Sequence, residues 1–185
     1  MTLNKIDDVK YNDNITISGI FTNADGEALI NSVVNIRINN ETQELRTDNK
    51  GRYSLTTQVL TTGTNNITVF YKGNSKYNPY NISTTINVIK KDTKITIKKI
   101  YSGKINDNIT ITGKLKNEDG KALINSNVVV YINDGHHTIK TNNRGIYSYV
   151  FTPKMVGEYN ITVEYKGNTK YNPSNTTTIL IKVQE

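Results

Sequence analysis

The sequence predicts an all-β protein made of two sandwich domains in tandem, of about seven short strands each. Three observations predict it. The chain repeats itself at a fixed offset. Apolar residues alternate with polar ones at the two-residue period of a half-buried strand. Turn-forming clusters of Asn, Asp and Gly recur at intervals of roughly 8–12 residues.

Among the 185 residues, Tyr71–Pro79 reads YKGNSKYNP and returns 94 positions later as YKGNTKYNP at Tyr165–Pro173. The same offset relates NDNITISG at Asn12–Gly19 to NDNITITG at Asn106–Gly113, and ALINS at Ala28–Ser32 to ALINS at Ala122–Ser126. It also relates TDNKGRYS at Thr47–Ser54 to TNNRGIYS at Thr141–Ser148. A period this long marks a duplicated domain, since solenoid repeats run to about 20–50 residues. The domains are expected at residues 1–91 and 92–185. The linker near Lys90–Thr93 is short and contains neither Gly nor Pro, unlike a flexible tether.

Each element follows in order. An opening strand is expected at Thr2–Ile6, echoed by Thr96–Ile100. Ile15, Ile17, Gly19 and Phe21 then alternate with Thr16 and Ser18, so the apolar set faces one way. Asn23–Gly26 and Asn117–Gly120 supply turns, where glycine accepts positive φ. Val34, Ile36 and Ile38 form the next inward row, and a short strand follows at Gln43–Thr47. After a turn at Asp48–Gly51 come Tyr53 and Leu55, then Ile67, Val69 and Tyr71. The last strand runs Ile82–Val88. Its counterpart, with Ile179, Ile181 and Val183, is displaced by one position, which predicts a one-residue insertion or bulge between Pro173 and Ile179. The strands are read as antiparallel, with one wet face.

Composition narrows the function. There is no Cys and no Trp, so disulfides and thiolate chemistry are excluded and the core rests on Ile, Val and Tyr. No apolar run approaches the roughly 18 residues of a membrane span. The opening residues lack the apolar stretch of a signal peptide, and the chain reads as a piece of something longer. The net charge of +7 is uneven: residues 1–92 carry 10 basic and 9 acidic side chains, residues 93–185 carry 13 and 7. That split does not suit a uniform nucleic-acid platform, and basic and aromatic residues are not interleaved in one patch.

Several motifs together carry a resemblance. They are G-x-x-L-x-N-x-x-V-x-I around Gly26–Ile36, T-x-x-x-G-x-Y at Thr47–Tyr53 and Y-x-G-N-x-x-Y-x-P at Tyr71–Pro79, each repeated in the second copy, where Val130 replaces the last Ile of the first motif. In these the chain resembles the bacterial immunoglobulin-like repeats found in tandem in adhesin-like surface proteins of bacteria and archaea. The resemblance implies immunoglobulin-like sandwiches, an extracellular, surface-attached setting, and a non-catalytic stalk or spacer that projects a binding region and supports cell adhesion. It implies neighbouring repeats of the same protein as partners. The rival reading is direct binding of a glycan, a wall polymer or another cell by the repeats themselves.

Catalysis is not expected. The only histidines, His136 and His137, are adjacent and point to opposite faces of a strand, and no nucleotide or zinc motif appears. No cofactor is expected. For Ca²⁺, which needs several oxygen ligands, the better-placed carboxylates are Asp25, Asp119, Asp13 and Asp107. Seven N-x-S/T sequons, at Asn14, Asn40, Asn66, Asn81, Asn108, Asn160 and Asn175, offer glycosylation sites. Among tyrosines free to stack on sugars, Tyr11, Tyr80, Tyr101, Tyr131 and Tyr149 have no Tyr in the other copy, and Tyr131 is the best candidate. The two YKGNxKYNP stretches are read as structural plugs. Gly73 with Asn74, and Gly167 with Asn168, turn the chain. Pro79 and Pro173 block ladder donation, and Tyr71, Tyr77, Tyr165 and Tyr171 cover a sandwich end.

Overall fold

The alternating segments are strands, and the turns fall where Asn, Asp and Gly cluster. The computed structural model describes residues 1–185. Its contacts divide the chain into unit 1, Met1–Lys90, and unit 2, Lys91–Glu185.

Unit 1 contains β1 (Val9–Lys10), β2 (Asn14–Ile20), β3 (Val33–Ile38), β4 (Glu41–Arg46), β5 (Arg52–Gln58), β6 (Gly63–Tyr71) and β7 (Tyr80–Ile89). They form a sheet ordered β1-β7-β6-β3-β4 and a pair β2-β5. The inward rows Ile15/Ile17, Val34/Ile36, Ile67/Val69 and Ile86/Val88 meet in the core, with Tyr53 buried among them. Packing of such β-branched side chains at interior density supplies most of the cohesion in a domain without disulfides.

Unit 2 repeats the plan with β8 (Thr93–Ile97), β9 (Ser102–Lys104), β10 (Ile109–Asn117), β11 (Asn127–Ile132) and β12 (Gly135–Lys140). It continues with β13 (Ile146–Phe151), β14 (Gly157–Tyr165), β15 (Ser174–Asn175) and β16 (Ile179–Gln184). Its sheets are ordered β12-β11-β14-β16-β9, with β15 on β14, and β13-β10-β8.

The structure corrects several expectations. The opening segment is not one strand. In unit 2 its first half, β8, pairs antiparallel with β10, and its second part, β9, crosses to the other sheet and runs parallel to β16. In unit 1 the Thr2 and Asn4 amides still bond the Ile20 and Ser18 carbonyls, while β1 runs parallel to β7. The sheets are therefore not wholly antiparallel, and unit 2 has nine strands by this division. The short fourth strand begins two residues earlier than expected, at Glu41.

The insertion falls between β15 and β16. Tyr165 pairs with Ser174 as Tyr71 pairs with Tyr80, but Ile161 pairs with Ile179 where Ile67 pairs with Thr84. Thr176, buried, stitches the bulge: its hydroxyl accepts from the Val163 amide at 3.0 Å, and its own amide donates to the Val163 carbonyl at 2.9 Å.

The recurring motifs now have physical meanings. In T-x-x-x-G-x-Y, the Thr47 hydroxyl accepts from Ser32 and donates to the Leu29 carbonyl, pinning the ALINS segment. Thr141 does the same for Ser126 and Leu123. Gly51, at φ 69°, packs where a Cβ would strike the Phe21 carbonyl. The Tyr53 hydroxyl donates to the Thr2 carbonyl, and Tyr147 to that of Thr96. Much of the asparagine is conformational: Asn12, Asn31 and Asn39 adopt positive φ, and so do Asn106, Asn125 and Asn133 at the same offset.

Candidate functional site

The YKGNxKYNP stretches form compact loops. After β6, Gly73 takes φ 83° and the Asn74 side-chain oxygen accepts from the amides of Lys76 and Tyr77, both at 2.8 Å. After β14, Gly167 takes φ 77°, and Asn168 accepts likewise from Lys170 and Tyr171. These are Asx turns, which polar side chains build by imitating a backbone acceptor. A Cβ on Gly73 would meet the Pro79 nitrogen at 2.9 Å, so glycine and proline close the loop on each other. A Cβ on Gly167 would meet the Pro173 nitrogen at the same 2.9 Å and the Tyr171 carbonyl at 2.8 Å. Both positions favour glycine twice over, by φ and by space. Tyr71 and Tyr165 are buried, while Tyr77 and Tyr171 are half-buried. Tyr71 lies against Phe21, with ring centroids 4.9 Å apart. Burial raises the pKa of the Tyr165 phenol, as does the neighbouring Tyr171.

The outward face of the larger sheet is where the copies part. In unit 1 the Arg37 guanidinium lies 5.7 Å from the Phe70 ring centre, within cation–π range. In unit 2 the corresponding Tyr131 donates to the Glu164 carboxylate at 2.8 Å. Each pair is a diagonal neighbour across two strands, and each has changed both members. The bond to Glu164 raises the Tyr131 pKa, with burial and the carboxylate charge adding to it. Beside Arg37 lies an open groove of about 920 Å³, with Thr42, Asn66, Thr68, Ser83 and Thr85 along it. The amide nitrogen of Asn35, buried on the same face, has no hydrogen-bond partner.

The other predicted residues are dispersed. His136 pairs with Tyr131, while His137 stacks on Tyr149 at 4.6 Å and bridges β12 to β13. No three of the His, Asp and Glu side chains converge. Asp119 is engaged by Lys91, Asp107 accepts from the Lys104 amide, Asp25 is exposed in its turn and Asp13 is half-buried. All seven sequon asparagines are exposed, but Asn66 and Asn160 also follow hairpins fastened by Asn39 and Asn133, whose side chains accept their amides. Tyr11, expected to be exposed, is buried, whereas Tyr80 and Tyr101 are exposed. The divergent β5–β6 and β13–β14 connections expose Leu60, Met155 and Val156.

Sequence reasoning missed Lys91. It placed this residue in the linker and gave it no role, yet Lys91 is buried and sits 2.5 Å from Asp119. The signal lies 28 residues away, too far for a local charge pattern to reveal.

No protein-family profile and no curated protein matches the chain. Among solved structures, invasin, titled a bacterial integrin-binding protein, superimposes with a TM-score of 0.66 at 20% identity. That alignment covers 99% of this chain and 39% of invasin. The fold is immunoglobulin-like. Two further immunoglobulin-like or fibronectin-like neighbours are looser. A two-domain fibronectin type III segment of chicken tenascin gives 0.48 at 12% identity, covering 98% of this chain and 97% of its own. The D0–D1 segment of intimin gives 0.40 at 16%, covering 97% and 98%. The chain thus spans about two fifths of the invasin structure.

Proposed function

We propose that the two immunoglobulin-like units are non-catalytic spacer repeats of an extracellular adhesin-like protein, projecting a binding region from the cell envelope. The carrying observation is the parallel pairing of the first and last strands of each unit's larger sheet, β1 with β7 and β9 with β16. Parallel terminal strands admit the chain at one pole of a unit and release it at the other. Antiparallel ones would return it to the same pole. A module threaded from pole to pole is suited to a linear array. The dispersal of the histidines and carboxylates supports a role without catalysis, and invasin, a bacterial integrin-binding protein, has the same fold. No helix is long and apolar enough to cross a membrane.

The test is binding by the purified chain to whole cells, isolated walls and a glycan array. The spacer reading expects none above an unrelated sandwich domain, and saturable binding overturns it. A second reading, that unit 1 itself binds a glycan, is favoured by the Arg37–Phe70 pair beside its hydroxyl-lined groove. It expects binding that Arg37→Ala abolishes without loss of folding.

A further inference from the structure

Unit 2 seats its own first residues on the loop that carries its YKGNTKYNP motif. The Lys91 amide donates to the Lys170 carbonyl at 3.1 Å, and the Lys91 carbonyl accepts from the Asn172 amide at 2.8 Å. Together they make a parallel bridge to Tyr171. The Asp92 carbonyl accepts from the Glu118 amide at 3.0 Å, and its carboxylate accepts from the Asn172 side chain at 2.7 Å. The Thr93 hydroxyl donates to the Asn172 carbonyl at 2.9 Å. The Lys91 ammonium lies 2.5 Å from the Asp119 carboxylate, which Asn117 also holds. The Lys-Asp-Thr sequence is thus read by two backbone amides, two carbonyls, a carboxylate and an asparagine.

Unit 1 carries the same reader at the 94-residue offset. Ala24 and Asn78 stand where Glu118 and Asn172 stand, Lys76 matches Lys170, and Asn23 and Asp25 match Asn117 and Asp119. The side chains match apart from Ala24 and from Tyr80, which stands where Ser174 accepts from the Thr93 hydroxyl at 2.7 Å. There Asn23, Ala24 and Asn78 border an open groove of about 370 Å³, lined also by Met1, Phe21, Leu29 and Tyr77. Leu29 is half-buried where Leu123 is buried, and the Asp25 carboxylate is exposed, with the charge to pair a lysine.

We propose that this groove of unit 1 is a docking seat for a Lys-Asp-Thr segment joined ahead of Met1, as Lys91–Thr93 stands ahead of Ile95 in unit 2. The proposal rests on the tandem-spacer reading and deepens it, by naming a joining segment and the residues that receive it.

The test fuses Lys-Asp-Thr-Lys, a copy of Lys91–Lys94, ahead of Met1 in the full chain. The control fuses Gly-Ser-Gly-Lys in the same place. Amide hydrogen exchange is read at Ala24 and Asn78, with Glu118 and Asn172 as internal references. The seat predicts roughly tenfold or slower exchange at both amides in the Lys-Asp-Thr-Lys fusion, partly reversed by Asp25→Ala. Equal exchange in the two fusions, with Glu118 and Asn172 still protected, overturns the seat and leaves the spacer reading intact. The spacer reading fails separately, on binding by the unfused chain. Slowing in the control fusion as well would overturn recognition of the Lys-Asp-Thr chemistry.

Discussion

The hydroxyl of Tyr53 lies 2.5 Å from where a side-chain carbon on Gly19 would sit. The Thr2 carbonyl that receives the hydroxyl would be nearer still, at 2.0 Å from that carbon. Gly19 is therefore bare so that the tyrosine can pass beneath β2 and tie the opening segment down. Gly113, Tyr147 and Thr96 repeat the arrangement in unit 2.

Gly19→Ala forces the tyrosine or the opening segment out of place. Overpacking of this kind costs roughly 1–3 kcal/mol, and the lost hydrogen bond about 1 kcal/mol more. The expected outcome is a clear fall in the melting temperature of unit 1, with Gly113→Ala doing the same to unit 2. Melting curves that match the parent chain would refute the steric account.

Tyr53 also gives the fold a pH dependence. Burial raises its phenol from the ordinary 10.0 to about 12, and it raises Tyr147 as well. The folded state favours the neutral phenol, so this stabilisation is complete below pH 10. It is lost as pH rises through about 12. Stability measured by denaturant should fall over that window in the parent chain, and less steeply in Tyr53→Phe/Tyr147→Phe. At neutral pH each single Phe variant should cost about 1 kcal/mol, since a part-buried hydrogen bond is lost.

The Asx turns predict a graded response in the YKGNxKYNP loops. Asn74→Ala removes the acceptor for two amides, at an expected cost of about 1 kcal/mol. Tyr71→Ala should cost more than Tyr77→Ala, because Tyr71 is the buried member, and large-to-small changes at buried aromatics run to about 3–5 kcal/mol. The same order is expected for Tyr165 and Tyr171. The reverse order in chemical denaturation would return the plug to the second tyrosine.

Tyr131 and Glu164 predict a spectroscopic result. The carboxylate holds the phenol proton and raises its pKa. In an ultraviolet titration, Glu164→Gln should move the Tyr131 midpoint back toward the ordinary value, with the other tyrosines unchanged. An unmoved midpoint would mean the bond does not persist in solution.

The domain duplication, the inward rows and the bulge before Ile179 were legible because each leaves a local, periodic trace. Ile15, Ile17 and Phe21 alternate, and a one-residue insertion displaces that alternation visibly. The turning role of Gly73 and Gly167 was legible too, since each stands beside an asparagine that can build the turn. β1 and β9 were not legible. Val9–Lys10 and Ser102–Lys104 are too short to show a period, and the change of sheet is a property of the whole sandwich. The Arg37–Phe70 and Tyr131–Glu164 pairs are invisible for another reason: their members stand on different strands and meet only once register is set. Buried Lys91 contradicted its own residue type, since an isolated lysine is almost never buried unless paired, and its partner lies across the unit.

The parallel pairing of β1 with β7 and of β9 with β16 has a mechanical consequence. A pull applied to the two ends of a unit runs along both terminal strands in opposite senses. Their hydrogen bonds stand across the line of force and are loaded together, as in a lap joint, where an antiparallel pair would open one bond at a time like a zip. Slip between the strands then requires their few bonds to break together, a geometry suited to traction along the strands.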